Sequence, residues 1–239
     1  METYIPFCGA APLPAELWSR WTLDPFLLSA LALAGIAGFC LLNDKRRFGL
    51  AWGLVCLLFI SPLCAASIAL FSARVGQHIL LTLVAAPILA AALPRLRLPA
   101  LPFAIAFAAL FWIWHAPAPY QATLDSDAGY WSMHLSLFAS ATLLFATMRA
   151  RPEAALPAAA LTGAQLAIYA SMLTLAPAAW HDWHLATTPA YGLTALSDQQ
   201  LAGAVMWVAG GALFLTSIAT LVLRFFDDAR PDPKRATTR

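Results

Sequence analysis

Apolar runs and short polar breaks alternate along the whole chain. Seven runs reach the length of about 18 residues that a helix needs to cross a bilayer: 25–42, 48–66, 75–93, 100–119, 130–148, 157–177 and 200–223. Backbone groups in hydrocarbon have no water to bond, so each run is predicted to close its hydrogen bonds internally as a helix. Pro62, Pro87 and Pro102 fall inside the second, third and fourth runs and predict kinks there. The expected fold is an all-α polytopic membrane bundle of seven transmembrane helices. It forms one integral membrane domain over 1–239, with a lead-in at 1–24, the bundle at 25–223 and a polar tail at 224–239.

Composition agrees with the pattern. Hydrophobic residues make up 61% of the 239 and charged residues only 11%, with a net charge of +2. That excludes a soluble globular enzyme, a disordered chain and a nucleic-acid binder. The placement of the basic residues says more than their number. Lys45, Arg46 and Arg47 follow the first run, Arg95 and Arg97 the third, Arg149 and Arg151 the fifth, and Arg224, Arg230, Lys234, Arg235 and Arg239 the seventh. Only Arg20 and Arg74 fall on the other side, so the positive-inside rule puts the N-terminus outside and the C-terminus in the cytoplasm. The expected location is the bacterial inner (cytoplasmic) membrane, in contact with the lipid bilayer on all sides. The stretch before the first run has Glu2 and Glu16 and no basic segment, which predicts an ordered external lead-in rather than a removed signal peptide.

On this topology all five histidines lie in the outer half. His78, His115 and His134 enter the membrane at similar depth on three successive spans, while His181 and His184 occupy the loop between the sixth and seventh. Ionisable side chains inside a membrane are costly and face the bundle interior or a wet cavity. Met133, Met172, Met206 and Cys64 sit near the same end. Imidazole with thioether suits copper, and Cu(I) in particular, better than calcium or magnesium. The candidate metal ligands are therefore His78, His115, His134 and Met206, with Asp198, Arg74, Gln77 and Trp207 in support. Arg74 is one helical turn from His78, where it opposes any second positive charge, or else snorkels to lipid phosphate. Asp198 opens the seventh span as an N-cap or orients a ligand histidine. The alternative for His181 and His184 is an amphipathic interfacial loop. The four cysteines show no CxxC spacing, so no disulfide framework and no zinc site is expected.

Three segments carry a resemblance: Gln77-His78 leading to Ala86-Pro87; Trp114-His115-Ala116-Pro117-Ala118-Pro119-Tyr120; and Leu196 through Gly211, which holds Asp198-Gln199-Gln200, Met206-Trp207 and Gly210-Gly211. Together the chain resembles the CtaG family of multi-span cytochrome c oxidase assembly factors, associated with caa-type oxidases. The resemblance implies a role in oxidase biogenesis by supplying or inserting copper, with a cytochrome c oxidase subunit as partner and no catalytic activity. It also implies that His78, His115, His134, Asp198 and Met206 occupy positions the family holds. Where the family commonly has two further histidines, this chain has Arg74 and Tyr130.

The function expected is a membrane assembly factor that delivers copper at the outer face. A metal or solute transporter would need polar groups through the inner half, which offers Thr147, Thr162 and Gln165 but no buried charge. Axial haem ligation by two span histidines fits the spacing, and a metal-free scaffold for an oxidase subunit is the remaining alternative. No His is followed by Glu, as an HExxH metalloprotease requires. A retinal pigment is excluded, because the only lysines, Lys45 and Lys234, lie outside the spans.

Overall fold

The computed structural model describes residues 4–228. Glu2 and the tail cations Arg230, Lys234, Arg235 and Arg239 lie outside the described residues. The described residues form helices without a strand. In chain order the helices are α1 (Pro25–Leu41), α2 (Lys45–Ile60), α3 (Pro62–Ala69), α4 (Phe71–Ala92), α5 (Ala100–His115), α6 (Pro117–Asp125), α7 (Asp127–Ala150), α8 (Leu156–Leu175), α9 (Trp183–Thr187) and α10 (195–228).

Among the described residues, α4, α7 and α8 are each long and apolar enough to cross a membrane, and the bent pairs α2–α3 and α5–α6 bring the count to five. Helix α1 is apolar but has 17 residues. Large apolar side chains point outward around the bundle, among them Phe26, Leu41, Leu57, Ile113, Leu175 and Val208, as expected of a surface solvated by lipid.

Prolines set the breaks, though not all where the sequence placed them. Pro62 starts α3 after Ser61, whose hydroxyl accepts from the Leu63 N–H, and the chain bends 53° there. The fourth run is straight at Pro102. That proline lies in the first turn of α5, where its missing N–H has no intrahelical partner to lose. The run bends 73° further on instead, at Ala116, which the ring of Pro117 forces out of the helical region to ψ 146. In α4 the chain accommodates Pro87 without breaking. A π-helical stretch, Leu80–Ala85, precedes it and moves the Ala86 N–H to the Leu81 carbonyl, a widening that relieves the clash between ring and preceding turn. A second π stretch, Met206–Gly210, interrupts α10.

Helix α4 is the hub, packed against α2, α3, α7 and α10. Its N-terminus is held by a side chain from another helix. The buried Asp198 carboxylate, on α10, accepts from the Phe71 N–H (2.6 Å), the Ser72 N–H (3.3 Å) and the Ser72 hydroxyl. Helix α10 is capped by Thr194 and Ser197 in a reciprocal capping box. The sequence expectation that Asp198 caps its own helix is thus corrected: it caps α4.

The described part of the lead-in, from Tyr4 onward, folds back over the end of the bundle where α3 begins and α7 starts. Phe7 stacks on Tyr130 and meets Trp131 edge-on, the Tyr191 hydroxyl donates to the Pro12 carbonyl, and the Thr22 N–H donates to the Ile60 carbonyl. Cys8 and Cys64 form a disulfide across 56 residues. The expectation of no disulfide fails here because the fold, rather than the spacing, brings the lead-in to α3.

Helices α8 and α10 approach closely at Gly203, where a Cβ would lie 2.8 Å from the Ala170 carbonyl. Backbone cannot yield as a side-chain tip does. Gly203→Ala is expected to cost about 1–3 kcal/mol and lower the thermal unfolding midpoint of the detergent-purified protein; an unchanged midpoint would show that the two helices are not held this close.

Candidate metal centre

Each of the three span histidines is placed by a local feature. His115 is the last residue of α5, because Pro117 ends the helix there. His134 lies about two turns into α7, which begins at the Ser126 cap. His78 is on α4 just before its π stretch, and its carbonyl takes the Thr82 hydroxyl at 2.7 Å. All three are buried.

The imidazoles form a chain. His78 Nδ1 lies 3.3 Å from His115 Nε2, and His78 Nε2 lies 3.3 Å from His134 Nε2. At the outer ends, His115 Nδ1 faces the Phe111 carbonyl at 2.7 Å and His134 Nδ1 faces the Tyr130 carbonyl at 2.8 Å. A carbonyl only accepts, so in both residues the proton is on Nδ1 and Nε2 carries a bare lone pair. Both lone pairs point at His78. A neutral imidazole has one N–H, so it can serve one of them and leaves the other contact without a hydrogen. The neutral chain is one hydrogen short of bonding both contacts.

A single ion cannot take both nitrogens of His78, so the three imidazoles as placed do not converge on one point. Among the described residues no three His, Cys, Asp or Glu side chains form a metal-holding group. His78 and His115 do share a cavity of about 20 Å³ with Met206, Thr82 and Phe111, enough for one water or one ion. Met206, 6% exposed, lies on this cavity, whereas Trp207, 48% exposed, faces away from the core. Trp207 does not line the cavity that His78, His115 and Met206 share. Met133 is buried in the core and Met172 is on the surface.

The remaining supporting residues act on α4 itself. Gln77 donates from Nε2 to the Leu58 carbonyl at 2.9 Å, and its Oε1 has no partner. Arg74 does not snorkel: it is 1% exposed. None of its three guanidinium nitrogens makes a hydrogen bond, and the group lies over the Tyr120 ring at 4.8 Å and near that of Tyr130 at 6.0 Å. Asp198, already occupied by Phe71 and Ser72, forms no salt bridge with it.

His181 and His184 do not form an exposed interfacial loop. Both are buried, His181 stacked on Tyr120 at 4.0 Å and His184 Nε2 2.7 Å from the Tyr120 hydroxyl. Neither nitrogen of His181 has a partner. Burial above all, then His184, His115 and Arg74, holds the His181 imidazole down at about 3; burial and then Arg74 hold His184 at about 4. What the sequence lacked was a sign that this loop folds inward. The one available cue was the tyrosine of the Pro117–Tyr120 motif, which both rings pack on.

The chain belongs to the family of cytochrome c oxidase caa3 assembly factors (Caa3_CtaG), whose model matches residues 43–228. No curated protein and no solved structure matches it. The matched segment contains all five histidines, Arg74, Asp198 and Met206, and excludes Cys8 and the rest of the lead-in.

Two outcomes follow from the charges. Removing an uncompensated buried cation relieves more desolvation than two cation–π contacts return, so Arg74→Met is expected to stabilise the purified protein by on the order of 1–4 kcal/mol, read as a higher unfolding midpoint. The depressed His181 leaves the unfolded chain binding the extra proton between about 6.5 and about 3. Stability should therefore fall as pH drops through that window, and His181→Phe should flatten the fall; an identical pH profile in the variant would contradict this.

Proposed function

We propose that this protein assists cytochrome c oxidase assembly by holding Cu(I) briefly in the outer half of the bacterial cytoplasmic membrane and releasing it to an oxidase subunit. Copper here is cargo. The reading rests on the histidine chain, in which two aligned lone pairs meet a single imidazole that can protonate only one contact. A soft cation taken by His78, His115 and Met206 at their shared cavity, with His134 on the other nitrogen of His78, would remove that mismatch. Arg74 opposes a cation there, which weakens retention and suits release.

The proposed topology keeps seven spans, with α1 and α10 joining the five that meet the length criterion, and the N-terminus outside. Two features support the orientation: basic residues gather at the end away from the histidines, and the Cys8–Cys64 disulfide lies at the histidine end, as an oxidising compartment would favour.

A metal-free scaffold is the second reading. It is favoured by the absence, among the described residues, of a convergent ligand triad. Elemental analysis separates the two. With the disulfide intact and Cu(I) supplied anaerobically, copper delivery expects about one copper per chain, lost in His78→Ala/His115→Ala. Equal and low copper in both proteins would overturn delivery and leave the scaffold. In cells, normal copper content of the oxidase in a strain lacking the protein would have the same force.

A further inference from the structure

Two buried features that the histidine chain does not use meet at Tyr130. The first is the sulfur pair. Cys8 Sγ lies 3.2 Å and Cys64 Sγ 3.5 Å from the Tyr130 hydroxyl, and Tyr130 in turn packs on His134 at 4.2 Å between ring centroids. The second is Arg74, a buried guanidinium that forms no salt bridge among the described residues and lies 6.0 Å from the Tyr130 ring centre. Buried charges in proteins are normally paired. Among the described residues, the site beside Tyr130 has a cation in place and no carboxylate bonded to it.

We propose that Cys8 and Cys64 are a redox-gated Cu(I) site: closed as the disulfide, and as the dithiol able to hold one Cu(I) between two thiolates, with Arg74 supplying the compensating charge. A Cu(I) bis-thiolate carries one net negative charge, the charge the Arg74 environment lacks. Thiolates are the soft ligands Cu(I) prefers, and the Cα–Cα separation of 5.5 Å keeps both on one ion's scale.

Opening needs a dithiol reductant, here a thioredoxin-class protein on the same side of the membrane. Its thiolate attacks Cys8 Sγ, on the less deeply buried of the two residues (8% against 0% exposed for Cys64). The disulfide breaks, a mixed disulfide forms, and Cys64 leaves as thiolate. The reductant's second thiol then displaces Cys8 and the reductant departs oxidised. The chain has gained two electrons and two protons, and Cu(I) binding releases those two protons. Breaking the disulfide also frees the lead-in strap from α3, exposing the pair. The site itself stands apart from the histidine reading.

The test compares full-length protein in its disulfide form with protein reduced by a phosphine that is then removed, each titrated anaerobically with Cu(I) against a chromogenic Cu(I) chelator. Cys40 and Cys56 are free in both forms and cancel in the comparison. The reduced form is expected to bind about one additional copper per chain, with ultraviolet thiolate-to-copper absorption. That copper should vanish in Cys8→Ser/Cys64→Ser and persist in His78→Ala/His115→Ala. Arg74→Gln should weaken it on the order of tenfold, while leaving unchanged or tightening copper bound by the disulfide form. Equal copper in reduced and disulfide forms overturns the proposal, as does additional copper that survives loss of both cysteines. If the double variant does not fold, Cys8→Ser alone decides, since one thiol cannot form the bis-thiolate band. Loss of copper from the disulfide form alone would refute the histidine reading and not this one.

Discussion

The Asp198 carboxylate at the start of α4 is the contact on which the rest is hung. A helix N-terminus inside a bundle presents several N–H groups that neither water nor an intrahelical carbonyl can satisfy. One carboxylate from α10 takes the first two of them, and the Ser72 hydroxyl as well. A charge-assisted bond of this kind is stronger than a neutral one and is costly to break in a medium of low dielectric. It fixes the register of α4 against α10, and therefore sets His78 of one helix and Met206 of the other on the same cavity. Asp198 is thereby committed to α4, and the Arg74 guanidinium lies over aromatic faces instead of forming an ion pair with it.

The two π stretches serve the same end. Leu80–Ala85 and Met206–Gly210 follow His78 and begin at Met206 respectively, on adjacent helices. A π turn rotates the side chains beyond it relative to an α-helix of the same length. In α4 its cause is Pro87, so a residue nine positions further along has a say in how the helix packs beneath the histidine. The bend at Ala116 acts in the same way on His115, which would continue into a longer helix if Pro117 were absent. Proline chemistry, and not the histidines' own propensities, shapes the cavity.

Much of this was legible in the sequence, and the misses share a cause. The apolar runs marked the helices, because their signal is local and repeated. The depth of His78, His115 and His134 along three runs foretold that they would meet, since spans of similar register bring equal depths together. The chemistry of the meeting was not legible. Whether three imidazoles converge on a point or line up in a chain depends on which ring nitrogen the Phe111 and Tyr130 carbonyls claim, a matter of about one rotamer. Asp198, Cys8 and the snorkelling alternative for Arg74 were misread because each one's partner is remote in sequence: Phe71 and Ser72 for Asp198, the Tyr120 and Tyr130 rings for Arg74, Cys64 for Cys8. Pro102 was misread for a different reason, as its effect depends on which turn of the helix it occupies.

The charge balance at the histidine end of the bundle sets how its two groups of soft ligands differ. Arg74 acts with opposite sign on two neighbouring places. It repels a cation among neutral imidazoles, and it attracts the anionic complex that two thiolates would form. On the two proposals, a single buried charge would rank the two sets of soft ligands, and the ranking would depend on whether Cys8 and Cys64 are bonded to each other. With the disulfide closed, only the histidine chain would be open to a soft ion, and Arg74 would weaken its hold. With it open, the sulfur pair would compete with the histidines for the same ion. Thiol exchange at the end where the lead-in meets α3 would then set how firmly such an ion is held.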